Sequence, residues 1–336
     1  MLSDIIPIPK KSVRPDQGSP VPDIRIVFMG TPEFSREILE GLLDCDYHVV
    51  AAYTRPDKPV GRNRELTASP VKRLSVESGI PVEQPIRFDE ETVRRIREYR
   101  PDLIIVAAYG RILPTSALSV PRFGCLNVHA SLLPRWRGAS PVQNALIAGD
   151  TGTGVSIMLM DAGMDTGPIL AQEAFPITDD DTRDSLLSRM AEDGIRLLAD
   201  IIPRWIGKRI EPREQDASQA TVCQLIDRED GRIFWNNAAE SIRNRYRGLH
   251  PWPGIFTFWK RDDGLLRLKL VRISIQKTDP VMKRKFGEVF VAGDKVAVQT
   301  GEGLVFIEEI QPEGKGVMPI RDFLNGRPDF VGALLD

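Results

Sequence analysis

Apolar residues along the first two-thirds of the chain fall in short continuous runs, whereas those along the last third alternate with polar ones. The runs at 24–29, 48–53, 102–108 and 123–128 have the length of strands buried on both faces. Segments with helical spacing lie between them. Gly30-Thr-Pro turns the first run into a helix reaching about Leu43, Ser69 with Pro70 opens another, and 90–99 is a charged helix. This βαβ rhythm predicts a parallel sheet covered on both faces. A helix at 139–148, a strand at 154–160, a returning strand at 168–177 and a long helix carrying Leu187, Met190, Leu197, Leu198, Ile201 and Trp205 complete that domain. The alternation at 265–275 and the short strands at 287–292, 295–300 and 304–310, parted by Gly-Asp and Gly-Glu turns, predict a small β-barrel closed by a helix at 319–325. The expected organisation is an extension at 1–22, an α/β domain at 23–207, a polar linker at 208–228 and the barrel at 229–336.

Composition narrows the class. The 336 residues are 42% hydrophobic and 27% charged, as in an ordinary globular chain. No run approaches the ~18 apolar residues of a membrane span. Cys45, Cys125 and Cys223 are scattered, as are His48, His129 and His250, so the sequence indicates neither a disulfide framework nor a metal site. These features fit a protein of the reducing cytoplasm. The Pro-rich, polar residues 1–22 read as an arm outside the fold rather than a secretory signal, and organellar targeting by this arm stays open. Net charge is −2, yet 241–290 holds twelve Lys and Arg against four Asp and Glu. Such a stretch can supply phosphate contacts while the chain as a whole stays acidic.

Candidate chemistry concentrates in 126–138, which reads Leu-Asn-Val-His-Ala-Ser-Leu-Leu-Pro-Arg-Trp-Arg-Gly. Asn127 and His129 are two apart at a strand end, so amide and imidazole project on one side. In open α/β sheets, ligands sit beyond the carboxyl ends of strands. An amide donor beside a titratable ring suits stabilising an oxyanion and moving a proton. Cys125 is expected to point away from the pair, which disfavours a Cys–His nucleophile. Two further segments stand out. The sixteen-residue connection 54–69 carries Arg55, Lys58, Arg62 and Arg64 against Asp57 and Glu65, and loops of that length inside a domain are often functional. The loop 161–167 offers two carboxylates, Asp161 and Asp165.

Asn127-Val-His129, Ser131-Leu-Leu-Pro134, Arg135-Trp-Arg-Gly138 and Met160-Asp-Ala-Gly-Met-Asp-Thr-Gly167 together resemble the signature of the folate-dependent formyltransferases, with those acting on tRNA the nearer match. The resemblance runs from about Ile24 to the C-terminus. It implies a Rossmann-like formyltransferase domain followed by an OB-like barrel that binds tRNA. It implies transfer of the formyl group of 10-formyltetrahydrofolate, as co-substrate, to the α-amine of methionylated initiator tRNA, without a metal and with no obligate protein partner indicated. Carried over residue by residue, it makes Asn127, His129 and Asp165 the catalytic set. Ser131, Leu132, Leu133 and Pro134 border the folate, and Arg62, flanked by Arg55, Lys58 and Arg64, grips the acceptor end of the tRNA. One departure is Ala130, where the family often has Gly after the His; the methyl narrows the backbone approach to folate. Two alternatives remain at this point: formyl transfer to an amino-sugar nucleotide, which shares the Asn-His-Ser-Leu-Leu-Pro core, and a catalytically silent tRNA-binding protein.

Overall fold

A computed structural model of the chain describes residues 23–60, 65–262, 264–277 and 284–336. The expected arm at 1–22 and the expected tRNA contacts Arg62 and Arg64 lie outside them. The chain folds as two units.

The first unit is built from β1 (Arg25–Gly30), α1 (Glu33–Asp44), β2 (His48–Tyr53), β3 (Lys58–Val60), β4 (Glu65–Thr67), α2 (Pro70–Glu77), β5 (Val82–Glu83), α3 (Glu90–Glu98), β6 (Leu103–Ala107), α4 (Thr115–Leu118), β7 (Cys125–His129), β8 (Arg137–Gly138), the start of α5 (Pro141–Ala148), β9 (Gly152–Leu159), β10 (Ile169–Pro176), α6 (Arg183–Ile206) and β11 (Val222–Cys223). Seven strands form one sheet in the order β10-β9-β7-β6-β1-β2-β5. The strands from β7 to β5 are parallel, as the βαβ rhythm predicts. On the other flank β9 runs antiparallel to β7, and β10 antiparallel to β9. Both faces are covered. Val27, Met29, Ile104 and Val106 pack with Val93 and Ile96 of α3. On the opposite face α1 and α6 meet so closely that a Cβ on Gly41 would lie 2.5 Å from Ile195. A Cβ on Gly194 would lie 2.9 Å from Val128, which fixes α6 against β7.

Two expectations are revised here. The connection 54–69 is not a plain loop, because β3 and β4 pair within it as a short antiparallel hairpin. Residues 208–224, expected as a linker, belong to the first unit. Their backbone is used in pairing: β11 lies parallel to β8, and Arg213 exchanges hydrogen bonds with Ile169 at 2.8 and 2.9 Å. No helix of the described residues is long and apolar enough to cross a membrane.

The second unit takes Gln143–Asp150, Asp179–Arg183 and Leu225–Asp336. It contains α7 (Ala239–Leu249), β12 (Ile255–Arg261), β13 (Gly264–Gln276), β14 (Val289–Ala292), β15 (Lys295–Gln299), β16 (Leu304–Pro312), β17 (Met318–Pro319) and α8 (Ile320–Gly326). The antiparallel order is β12-β13-β16-β15-β14, with β17 on β16. The final residues join the two edges. Asp336 exchanges backbone hydrogen bonds with Phe258 on β12, while Leu335 N donates to Gly287 O and Val289 N to Ala333 O beside β14. Edge strands carry unpaired backbone groups, and this tail satisfies them. The helix α7 was not expected. It lies on the residues of α5 that belong to this unit, and a Cβ on Gly248 would come 2.9 Å from Gln143 O.

The basic stretch 241–290 is less available than its charge suggests. Arg247 is buried and donates to Asn244 Oδ1 at 2.7 Å and Asp181 O at 3.2 Å. Arg245 donates to Asp230 O, and Arg272, Lys277 and Arg284 pair with Glu308 and Glu309, Glu240 and Glu288 respectively.

Leu335 is 4% exposed within the barrel core, beside Trp235, Trp259 and Phe330. Leu335→Ala is therefore expected to lower the stability of this unit by about 2–5 kcal/mol, as other buried Leu truncations do. Denaturant unfolding followed by tryptophan fluorescence measures it; an unchanged midpoint would show that the tail does not help to close the barrel.

Candidate functional site

The site begins on β7, where Cys125, Asn127 and His129 share one face of the sheet. Asn127 is 8% and His129 6% exposed, so both polar side chains need partners inside the protein. Asp165 supplies them. Its Oδ1 accepts from Asn127 Nδ2 at 3.3 Å. Its Oδ2 accepts from Gly138 N at 2.8 Å and lies 3.6 Å from His129 Nδ1. That last separation is an ion-pair distance, too long for a hydrogen bond. The other ring nitrogen, Nε2, is 3.0 Å from Trp136 O. A carbonyl oxygen can only accept, so Nε2 carries hydrogen and the lone pair of the neutral ring lies on Nδ1.

The antiparallel placement of β9 explains how Asp165 arrives. Leu159 pairs with Leu126, so the chain leaves β9 near the start of β7. The loop then returns along the strand, reaching Asn127 and His129 before β10 begins. Asp161, the competing carboxylate, is committed to its own turn, where it accepts from Gly163 N at 3.0 Å and Thr166 Oγ1 at 2.7 Å. It stabilises the loop that delivers Asp165.

Cys125 is on the same face as the pair, contrary to expectation, because residues two and four apart along a strand point the same way. Depth keeps it out of the chemistry. It is 1% exposed, and burial pushes its thiol up to about 12. Ala130 is also buried, its methyl accommodated at the strand end.

The loop after β7 divides by exposure. Ser131 is buried and its hydroxyl donates to Arg135 O at 2.6 Å. Leu133 is buried, with its N–H donating to Ser156 Oγ at 3.1 Å and its carbonyl accepting from Gln172 Nε2 at 2.9 Å. Leu132 and Pro134 remain half-exposed. Thus Ser131 and Leu133 shape the loop from inside, and Leu132 and Pro134 offer its surface. Ser156 and Gln172 went unnoticed in the sequence, since single polar residues within strands carry no spacing signal.

The basic connection is anchored at its base. Lys72 Nζ binds Asp57 Oδ2 at 2.6 Å and Gln84 Oε1 at 2.8 Å, and Gln84 Nε2 donates to Asp57 Oδ1 and Arg55 O. The Lys72 ammonium and the Gln84 amide together hold the Asp57 carboxyl below its usual range. Lys58 is exposed at the start of the hairpin, whereas Arg55 is half-buried and packs by Gly110. The structure therefore separates the two. Arg55 N donates to Thr31 Oγ1 at 3.4 Å, and Thr31 Oγ1 donates to Tyr109 O at 3.3 Å, which places Arg55 at the carboxyl ends of β1 and β6. There the Tyr109 hydroxyl and Arg55 Nε are buried without a hydrogen-bond partner among the described residues.

Known proteins resemble both units of the chain. The formyl transferase family pattern matches residues 24–202, and the formyl transferase C-terminal domain pattern matches residues 225–328. A methionyl-tRNA formyltransferase of Methylococcus capsulatus is 42% identical over 304 residues, covering 90% of this chain and 96% of the relative. That of Trichlorobacter lovleyi is 43% identical over 313 residues, covering 93% and 96%. Among solved structures, HypX from Aquifex aeolicus in complex with tetrahydrofolic acid superposes with a TM-score of 0.63 at 17% identity, over 90% of this chain and 47% of that one. An N-formyltransferase from Helicobacter canadensis, crystallised with folinic acid and dTDP-3-aminofucose, gives 0.61 at 16%, over 84% and 98%. At those identities the two structures speak for the fold. The family pattern and the relatives above 40% identity carry the conclusion: the chain belongs to the formyl transferase family, in its methionyl-tRNA formyltransferase branch.

Proposed function

We propose that the protein transfers the formyl group of 10-formyltetrahydrofolate to the α-amine of methionine esterified to initiator tRNA, giving N-formylmethionyl-tRNA for translation initiation. The observation that carries this reading is the half-buried carboxylate of Asp165, held between the amide of Asn127 and the imidazole of His129. The donor set fits a folate. Partnerless polar atoms of Tyr109 and Arg55 at the neighbouring strand ends suit a heterocycle rich in donors and acceptors, and Leu132 and Pro134 supply an apolar border beside the buried Ser131 and Leu133.

The amine must lose a proton to become a nucleophile. Asp165 and His129 Nδ1 together form the acceptor system for it. The amine's lone pair then forms a bond to the formyl carbon, and the carbonyl π pair moves onto oxygen. Asn127 Nδ2 has two N–H groups and uses one on Asp165, so the second is available to the oxyanion. Charged His129 adds a second favourable group. Once bonded, the attacking nitrogen gives up a second proton. Collapse of the oxyanion then breaks the bond to the folate nitrogen, which takes up one of the two protons the amine released, and the other passes to solvent. No electrons are exchanged with an outside reagent.

The tRNA acceptor is assigned to the hairpin side of the first unit. Lys58, with Arg62 and Arg64 beyond it in sequence, provides phosphate-binding charge, and Arg55 supports the base of the same connection. The amino-sugar reading has no comparable use for this basic hairpin.

The deciding assay is transfer of labelled formyl to methionylated initiator tRNA, with elongator methionyl-tRNA and an amino-sugar nucleotide alongside. Labelling of the initiator is expected; label on the sugar nucleotide alone would overturn the acceptor assignment, and tight tRNA binding with no turnover would reduce the protein to a binding role. Asn127→Ala should fold normally and lose on the order of 10²–10³ in kcat, the cost of one oxyanion donor. Retention of wild-type turnover would remove the amide from the mechanism. Lys72→Met should release the hairpin base and raise KM for the tRNA about tenfold, the equivalent of one charge-assisted hydrogen bond, while KM for the folate stays unchanged. Equal rises in both constants would show that the clamp acts on the whole site.

A further inference from the structure

The two residues that flank His129 most closely through polar contacts both adopt an unfavourable backbone. Trp136, whose carbonyl accepts from the ring, has φ 60°, and Asp165, whose carboxylate faces the ring, has φ 55°. Left-handed conformations are disfavoured for residues with a Cβ and persist where the surroundings over-determine them. In both cases the restraint comes from one short stretch following α6.

Gln215 holds Asp165. Its Nε2 donates to Asp165 O at 2.9 Å and to Gly167 O at 2.7 Å, so it clasps the backbone on either side of Thr166. Its Oε1 accepts from Arg137 Nε at 3.1 Å and Nη2 at 2.8 Å. The orientation of the amide is forced, because carbonyls only accept and a guanidinium only donates. Thr221 holds Trp136. Its Oγ1 accepts from Trp136 N at 2.8 Å, and its own backbone accepts from Arg137 N at 2.8 Å and donates to Pro134 O at 3.3 Å. Beyond it β11 pairs with β8, and Gly138 approaches so closely that any Cβ would run into the Cys223 carbonyl. Gly138 N is itself a donor to Asp165.

We infer that Gln215 and Thr221 are positioning residues that fix the imidazole and the carboxylate relative to each other: Gln215 through the backbone of Asp165, and Thr221 through the Trp136 carbonyl that fixes the His129 tautomer. This inference rests on the formyl-transfer reading. Neither side chain touches the reacting atoms. Arg137 links the two arms, since its side chain binds Gln215 while its backbone binds Thr221.

The test compares Gln215→Leu, Thr221→Val and the conservative Thr221→Ser in the full chain, using labelled formyl transfer from 10-formyltetrahydrofolate to methionyl-tRNA. Gln215→Leu and Thr221→Val should each lower kcat about 10–100-fold, the scale of a small misplacement of catalytic groups, with both KM values within about twofold. Thr221→Ser, which keeps the acceptor oxygen, should restore kcat. Each change is repeated with Asp165→Ala. If Gln215 acts through Asp165, its substitution costs little further once the carboxylate is gone. The inference is overturned if kcat is unchanged in both single variants, if KM rises instead, or if Gln215→Leu costs the same with and without Asp165. Should Asp165→Ala alone keep full turnover, the formyl-transfer roles fail first, which separates the two failures. Circular dichroism and thermal unfolding check that each variant folds; if Gln215→Leu does not, Gln215→Glu, which keeps the length and the Arg137 contact but sets oxygen against two carbonyls, takes its place with the same expected loss.

Discussion

One carboxylate ties three parts of the chain together. Asp165 reaches the amide and imidazole of β7 on one side and the backbone N–H of Gly138 on the other. A strand, the stretch that follows it and a loop 27 residues beyond Gly138 thereby converge within hydrogen-bond or ion-pair distance. A largely enclosed carboxylate without such partners loses hydration that nothing replaces, so Asp165 and the groups that face it go together. In the mechanism proposed above, the groups that satisfy Asp165 in the resting protein are those that a developing oxyanion and a departing proton need.

The sheet prepares this convergence. Its parallel strands bring Thr31, Arg55, Tyr109 and Asn127 toward one edge through β1, β2, β6 and β7. Its two antiparallel strands then send the Asp165 loop back across the end of β7. A wholly parallel sheet would place the next connection beyond the carboxyl end of its strand, without that return path. The switch in direction at β7 thus carries the Asp165 loop to the end of that strand, the side on which open α/β sheets hold their ligands.

Much of this was legible in the sequence, and for identifiable reasons. Continuous apolar runs marked β1, β2, β6 and β7 because strands buried on both faces have no polar positions to interrupt them. The residues 126–138 concentrate an amide, an imidazole and a Pro-bearing loop in one place, so the candidate site could be read directly. The 208–224 stretch could not. Gln215 and Thr221 act through hydrogen bonds to backbone, and such bonds leave no periodicity, so a structural strap had the composition of a linker. The three-residue strands β3 and β4 are too short for alternation to register. In α7, counting Arg243, Arg245 and Arg247 gave charge but not its partners, and Arg247 proved to be buried. Strand parity was legible but misapplied at Cys125, which shares the face of Asn127 and His129.

The second unit is not one continuous piece of chain, for it recruits Gln143–Asp150 and Asp179–Arg183 from within the span of the first. The boundary at which the family pattern divides the sequence, near residue 225, is consequently not the boundary at which the core divides. A barrel exchanged between relatives at that point would leave behind the stretch against which Gly248 of α7 is fitted and the carbonyls that Arg247 binds. An exchange at that point is therefore constrained by packing inside the second unit rather than by the connecting chain.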